Sequence, residues 1–130
     1  MLSSVEYELV CTRNLVGSVD LFMVSHHGLK VSNAKYLVHA LRPRVAVMNN
    51  GARKGGAPET LDVLKTSPGF EDLWQLHYSE AGSERNAPAD FVADLQVPCE
   101  GKPIKASVRR DGTFTVTNTR NGFSKTCNPR

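Results

Sequence analysis

The chain has 130 residues, of which 40% are hydrophobic and 22% are charged, and these proportions are typical of one globular domain. No apolar stretch approaches the roughly 18–20 residues that a membrane span needs, and the N-terminal residues lack the basic-then-apolar pattern of a signal peptide. The formal net charge of +3 is uneven, because residues 101–130 carry seven Lys or Arg against one Asp.

The first part of the chain predicts two strands and a helix. Residues 5–11 alternate loosely between apolar and polar side chains, which favours a half-buried strand. Residues 19–25 form an apolar run that predicts a buried strand. A helix capped by Ser32 or Asn33 is expected to follow and to end at Pro43, which cannot continue it.

The middle of the chain predicts alternating strands and helices. Residues 44–49 are nearly all apolar, as expected for a strand covered on both faces. A glycine-rich loop leads to a second helix, for which Pro58 suits the first position. Residues 70–78 predict a third strand, and residues 89–95 a short helical turn after a polar loop. Such alternation is typical of an α/β layer.

The last 30 residues change character. Apolar residues alternate with polar ones on both sides of Asp111-Gly112, which predicts a β-hairpin with a turn compatible with type I′. We therefore divide the chain into residues 1–98 and a C-terminal hairpin and tail, residues 99–130. The basic charge of this segment suits a phosphate-rich partner, but a solvated strand face is the commoner explanation.

Two adjacent histidines, His26 and His27, follow the second predicted strand and precede Gly28. Neighbouring strand residues point to opposite faces, so both rings reach one metal only if the strand ends there, and Gly28 allows that turn. Neutral imidazole is a common zinc ligand. The three cysteines are widely spaced and form no Cys-x-x-Cys pair, so the sequence predicts neither a disulfide framework nor a thiolate zinc site.

Residues 19–28 (VDLFMVSHHG), with the strand, helix and strand order around them, are similar to the C-terminal half of metallo-β-lactamase-fold metallohydrolases. The resemblance is closest to their DNA-uptake competence-like branch and covers roughly residues 5–95. It implies the C-terminal half of an αββα sandwich, with a mixed sheet and flanking helices, followed by the hairpin. It also implies zinc, two ions in a full-length enzyme, with His27 slightly favoured over His26 as a late ligand. The upstream His-x-His-x-Asp-His motif of that family has no counterpart in this chain.

The resemblance implies hydrolysis of a phosphodiester or related ester by a zinc-activated water, in a chain that is inactive alone. Its glycine-rich loop would grip substrate phosphates through an anion-binding concavity or, alternatively, it is only a flexible connector. The expected substrate-binding residues are Asn50, Arg53, Lys54 and His77. Half of a sandwich would leave one sheet face uncovered, so a missing N-terminal half or a homo-oligomer is expected to cover it. The alternative is a non-catalytic module that binds a partner or nucleic acid through its groove and basic hairpin.

Overall fold

A computed structural model describes residues 2–130, with side chains from Ser4 onward; Met1 lies outside the described residues. Within this range the chain forms three α-helices and seven strands, with short 3₁₀ turns between them. The helices are α1 (Leu2–Cys11), α2 (Lys35–Leu41) and α3 (Pro58–Lys65). The strands are β1 (Leu21–Met23), β2 (Val45–Met48), β3 (Asp72–His77), β4 (Val92–Asp94), β5 (Ile104–Val108), β6 (Phe114–Asn118) and β7 (Ser124–Cys127).

Strands β1 to β4 form a parallel sheet in sequence order. Helix α2 connects β1 to β2 and α3 connects β2 to β3, as parallel neighbours require a crossover. All four residues of β2 are buried, which confirms the prediction of a strand covered on both faces. The predicted β1, α2, β2, α3 and β3 are all present, and α3 begins at Pro58 as predicted.

Strands β5, β6 and β7 form a separate antiparallel sheet that packs on one face of the parallel sheet. Val47 and Trp74 of the first sheet share a buried cluster with Phe114 and Val116 of the second. Helices α2 and α3 pack on the opposite face, where Leu61 and its neighbours meet the other side of β2 and β3. The fold is therefore mixed α/β in three layers, with a purely parallel sheet where we expected a mixed one, and with the predicted C-terminal hairpin inside the antiparallel sheet.

The prediction that one face of the main sheet is uncovered is wrong, because the antiparallel sheet covers that face. Trp74 is fully buried there and forms a three-ring cluster with Phe91 and Phe123, whose ring centroids lie 4.7 Å and 5.7 Å from that of Trp74 and 5.1 Å from each other. Both sheets share one core, and the boundary at residue 98 stays a prediction. No helix of residues 2–130 has the length and apolar character that crossing a membrane requires.

The prediction of a strand over residues 5–11 is wrong, since these residues belong to α1. The alternating apolar residues that suggested a strand are largely exposed, whereas Val10 packs against Leu37 and Leu41 of α2. Glu6 accepts hydrogen bonds from the backbone N–H groups of Asn33 (3.1 Å) and Ala34 (3.0 Å) at the start of α2. The N-cap residue of α2 is Ala34, so the cap expected from Ser32 or Asn33 is not formed, and Glu6 instead binds the two N–H groups that precede the helix.

The C-terminal third contains two strands that were not predicted from the sequence. The helical turn expected over residues 89–95 is limited to Ala89–Phe91, and the chain then pairs with β3 as β4. Strand β7 extends the predicted hairpin to three strands. The hairpin turn is not type I′, because Gly112 has a positive φ (+85°) and Asp111 does not, whereas type I′ requires both.

Candidate functional site

All predicted site residues lie at one edge of the parallel sheet, which we call the carboxyl edge. Because the four strands are parallel, their carboxyl ends meet there, and α/β folds commonly bind ligands at this position. In strand order, the edge is formed by His26 and His27 after β1, Asn50, Arg53 and Lys54 after β2, His77 at the end of β3, and Asp94 at the end of β4.

The two histidines lie in a short 3₁₀ turn, Ser25–Gly28, with unusual backbone geometry. His26 and His27 have φ values of +51° and +57°, in the left-handed region that non-glycine residues rarely adopt. The side chain of Asn33 holds the start of this turn, because its Oδ1 accepts from the Ser25 N–H and its Nδ2 donates to the Ser25 carbonyl, both at 2.9 Å. Strained backbone of this kind persists only where surrounding contacts enforce it.

The ring of His27 is oriented by a backbone carbonyl. Its Nδ1 lies 2.9 Å from the carbonyl oxygen of Asn49. Because a carbonyl only accepts, this contact assigns the proton to Nδ1 and leaves the lone pair of Nε2 free to bind a metal ion. His26 is exposed, with its ring centroid 6.4 Å from that of His27 and its Nδ1 3.5 Å from the Ser32 hydroxyl.

The glycine-rich loop packs closely against the histidine turn. The Gly56 N–H donates to the His27 carbonyl (2.9 Å), and a Cβ placed on Gly55 would lie 2.0 Å from the same oxygen. The Gly51 N–H is bonded to the Lys54 carbonyl (2.8 Å). Two loop N–H groups are thus used within the protein, and the anion-binding concavity stays a prediction.

The expected substrate-binding residues differ in accessibility. The side chain of Asn50 is 1% exposed, and its Nδ2 donates to the carbonyls of His77 (2.8 Å) and Gly51 (3.1 Å). Arg53 is exposed and forms an ion pair with Glu80 at 3.1 Å, while Lys54 is exposed. The structure therefore offers Arg53 and Lys54 to solvent and uses Asn50 to link the ends of β2 and β3; their roles with a substrate stay predictions.

His77 lies beside two other side chains of types that bind metal ions, and local sequence patterns did not predict this group. One ligand atom each from His77, Asp94 and Cys99 lie within 4.8 Å of one another, and no other group of three such residues occurs within residues 2–130. The His26–His27 pair therefore has no third ligand nearby in the described chain. Cys127 differs from Cys99, because it lies in the core and burial raises the pKa of its thiol.

The sequence signal for this metal-ligating group was the end of strand β4. We missed it because we interpreted residues 89–95 as a helical turn. With β4 assigned, Asp94 takes the same position at its strand end as His77 does on β3, since the two residues are register partners. Comparisons of the chain with protein-family profiles, curated proteins and solved structures gave no match. The metallo-β-lactamase resemblance of the sequence thus stays a prediction.

Proposed function

We propose that the chain is the C-terminal part of a zinc-dependent hydrolase of the metallo-β-lactamase type. In this proposal the chain contributes His27, with His26 beside it, to a metal site that residues outside residues 2–130 complete, while its own antiparallel sheet already covers the second face of the parallel sheet. The observation that carries the proposal is the orientation of His27. Its Nδ1 is fixed by the Asn49 carbonyl at 2.9 Å, so that Nε2 is the ligand atom.

The outer side of strand β1, next to the histidines, supports a metal site that two segments build together. Within the described residues, β1 pairs with β2 alone, so its other side presents backbone groups for a further strand. Met23, the last residue of β1, is 62% exposed beside the histidine turn. An additional segment at this position would cover Met23 and approach His26 and His27.

The proposed substrate is a phosphodiester or a related ester. Zinc at such a site lowers the pKa of a bound water to about 7. The chain's own contribution is positive charge at the carboxyl edge, where Arg53 and Lys54 are exposed and attract a phosphate group. Arg53 also lines a cleft of about 230 Å³ with His77, which would place both side chains along a bound substrate.

A second candidate is a non-catalytic module that binds nucleic acid or another partner through the hairpin. The observation in its favour is the exposure of β5 and its turn, where Lys105, Arg109 and Arg110 all face solvent. The incomplete surroundings of His26 and His27 within residues 2–130 are also consistent with this alternative. Salt-dependent binding of the chain to a nucleic acid of arbitrary sequence, lost on Lys105→Ala/Arg109→Ala/Arg110→Ala, would support it.

The orientation of His27 provides the direct test of the hydrolase proposal. Long-range ¹H–¹⁵N NMR of the purified chain is expected to show His27 with its proton on Nδ1 and to show zinc perturbing Nε2 of the same ring. The matched control is His39, whose Nε2 lies 3.1 Å from the Val63 carbonyl and is thus already engaged. An Nε2-protonated His27, or a His27 ring that zinc leaves unchanged, would contradict the proposal.

The zinc-loaded chain by itself is expected to leave a chromogenic phosphodiester intact, because two histidines do not complete a catalytic zinc site. Turnover by the isolated chain that His27→Ala removes would show that the site needs no residues outside it.

A further inference from the structure

We propose that His77, Asp94 and Cys99 form a second metal site, which binds zinc or a similar thiophilic divalent cation. This site is separate from the histidine turn and does not depend on the proposed hydrolase function. Histidine and aspartate lie at the ends of the adjacent strands β3 and β4, and Cys99 follows in the loop after β4.

The three side chains are close to the separations that a bound zinc ion requires. Their ligand atoms lie within 4.8 Å of one another, and His77 Nε2 lies 3.9 Å from Asp94 Oδ2. With Zn–N and Zn–O bonds of about 2.0 Å and one Zn–S bond of about 2.3 Å, tetrahedral ligands of this set lie about 3.3–3.5 Å apart. A closure of up to about 1.3 Å is thus sufficient, and Cys99 lies in an exposed part of the chain.

A buried carboxylate oxygen without a partner in the described chain indicates that this place is built for a ligand. Asp94 is 5% exposed, and within residues 2–130 its Oδ2 has no hydrogen-bond partner. Its other oxygen accepts only a long bond of 3.4 Å from the Lys102 N–H. The Nδ1 atom of His77 is also buried without a partner within residues 2–130, but an ion bound at Nε2 would leave it so, and the group that a cation would satisfy is the Asp94 carboxylate. A buried carboxylate in this state is costly, and a cation at Oδ2 would compensate for that cost.

A direct pairing of His77 with Asp94 explains the geometry less well. Their separation of 3.9 Å is too long for a hydrogen bond. Such a pairing also gives no role to Cys99, which lies within reach of both side chains. A metal ion accounts for all three residues with one ligand.

The donor set defines the class of metal. A thiolate ligand favours zinc and other thiophilic ions over magnesium and calcium, which prefer oxygen ligands. Three protein ligands leave one position of a tetrahedral ion open. Two adjoining clefts meet at Asp94, one of about 230 Å³ beside His77 and Arg53 and one of about 280 Å³ beside Cys99 and Arg120. These clefts would give an exogenous ligand or water access to the fourth position of the ion. In the cleft that His77 lines with Arg53, His77 would then act as a ligand of the metal.

Cobalt(II) titration of the purified, reduced chain tests the site. Cobalt substitutes for zinc and gives a near-ultraviolet charge-transfer band only when a thiolate is bound. We expect this band to saturate at one equivalent and to be lost when zinc is added. Cys99→Ser and Asp94→Asn are each expected to weaken binding at least about 100-fold, beyond the 10–100-fold effect of an outer-shell partner.

Two controls distinguish this site from cobalt binding elsewhere on the chain. Cys11→Ser removes a different exposed thiol and should leave the band unchanged, and His27→Ala should do the same because His27 belongs to the other site. No charge-transfer band in the original chain, or a band that persists in Cys99→Ser, would overturn the proposal.

Discussion

The two edges of the parallel sheet differ in how their polar groups are satisfied. At the edge where the strands begin, which we call the amino edge, charged groups are paired with one another. Arg44 donates from Nε to Glu71 (2.8 Å) and from Nη1 to the carbonyl of Asn128 (2.7 Å), and Arg130 donates from Nε to Asp20 (2.8 Å). These contacts fasten the C-terminal tail to the start of the sheet.

At the carboxyl edge, by contrast, several polar groups lack hydrogen-bond partners among residues 2–130 and part of the backbone is strained. His26 and His27 have strained left-handed backbones, and Asp94 and Asn50 each bury a side-chain oxygen without a partner in the described chain. Such groups reduce stability wherever they serve no other purpose. The difference between the edges therefore separates a structural region from a region that retains unfavourable local features, and such features cluster at functional sites.

The largest expected effect is that of Gly55→Ala, which tests whether the histidine turn is enforced by its contacts. The new Cβ would lie 2.0 Å from the His27 carbonyl oxygen, and Gly55 has a φ of +82°. We expect a loss of about 3–5 kcal/mol in the free energy of unfolding, of which about 1–2 kcal/mol is backbone strain and the rest overpacking. Urea denaturation measures this loss.

Gly122→Ala is the matched control. Gly122 has a similar φ of +74°, but a Cβ added there would meet no heavy atom within 4 Å, so this variant should lose only the strain of about 1–2 kcal/mol. Equal losses in the two variants would show that the glycine loop does not hold the histidine turn in place.

A pair of isosteric substitutions compares the two edges directly. Glu71→Gln removes a paired carboxylate at the amino edge and is expected to reduce stability by about 0.2–1 kcal/mol, because the pair is partly exposed. Asp94→Asn removes a buried carboxylate whose Oδ2 has no hydrogen-bond partner within residues 2–130, so at about pH 8 with a chelator present it should leave stability unchanged or raise it. A larger loss for Asp94→Asn than for Glu71→Gln under these conditions would contradict the contrast between the edges.

The central part of the fold was predictable from the sequence because its periodicity is clear. The apolar run before His26 and the apolar residues 45–48 both became strands of the parallel sheet. Helix α1 was missed because its apolar residues alternate by chance, and its stability comes from contacts with α2. Strand β4 has only three residues and is defined by pairing with β3, a contact that no local pattern reveals.

The same distinction applies to the candidate site. His26 and His27 were singled out because adjacent histidines ending an apolar run form a local signal, and their role as ligands stays a prediction. The group of His77, Asp94 and Cys99 was not, because its members come together only when β4 pairs in parallel with β3. The wide spacing of the cysteines argued against a thiolate ligand, yet a site needs only one cysteine when the other ligands come from strand ends.

The smallest expected effect is the pH dependence of the amino edge. The hydrogen bond from Arg44 lowers the pKa of Glu71 below its usual value. A carboxyl group with a lowered folded pKa contributes stability above its unfolded pKa of about 4.3, and this contribution is lost as the pH falls through the folded value. Because Glu71 is 45% exposed, solvent screening limits the effect to a fraction of a kcal/mol.

Urea denaturation between about pH 7 and pH 3 should show a shallower acid loss of stability in Glu71→Gln than in the original chain, since the variant has no carboxyl group to protonate at this position. Glu84, whose pKa is also lowered, remains in both proteins and serves as an internal background. Identical profiles would show that the Arg44–Glu71 pair contributes nothing to stability, and the order of the amino edge would then rest on its other contacts, such as the bond from Arg130 to Asp20.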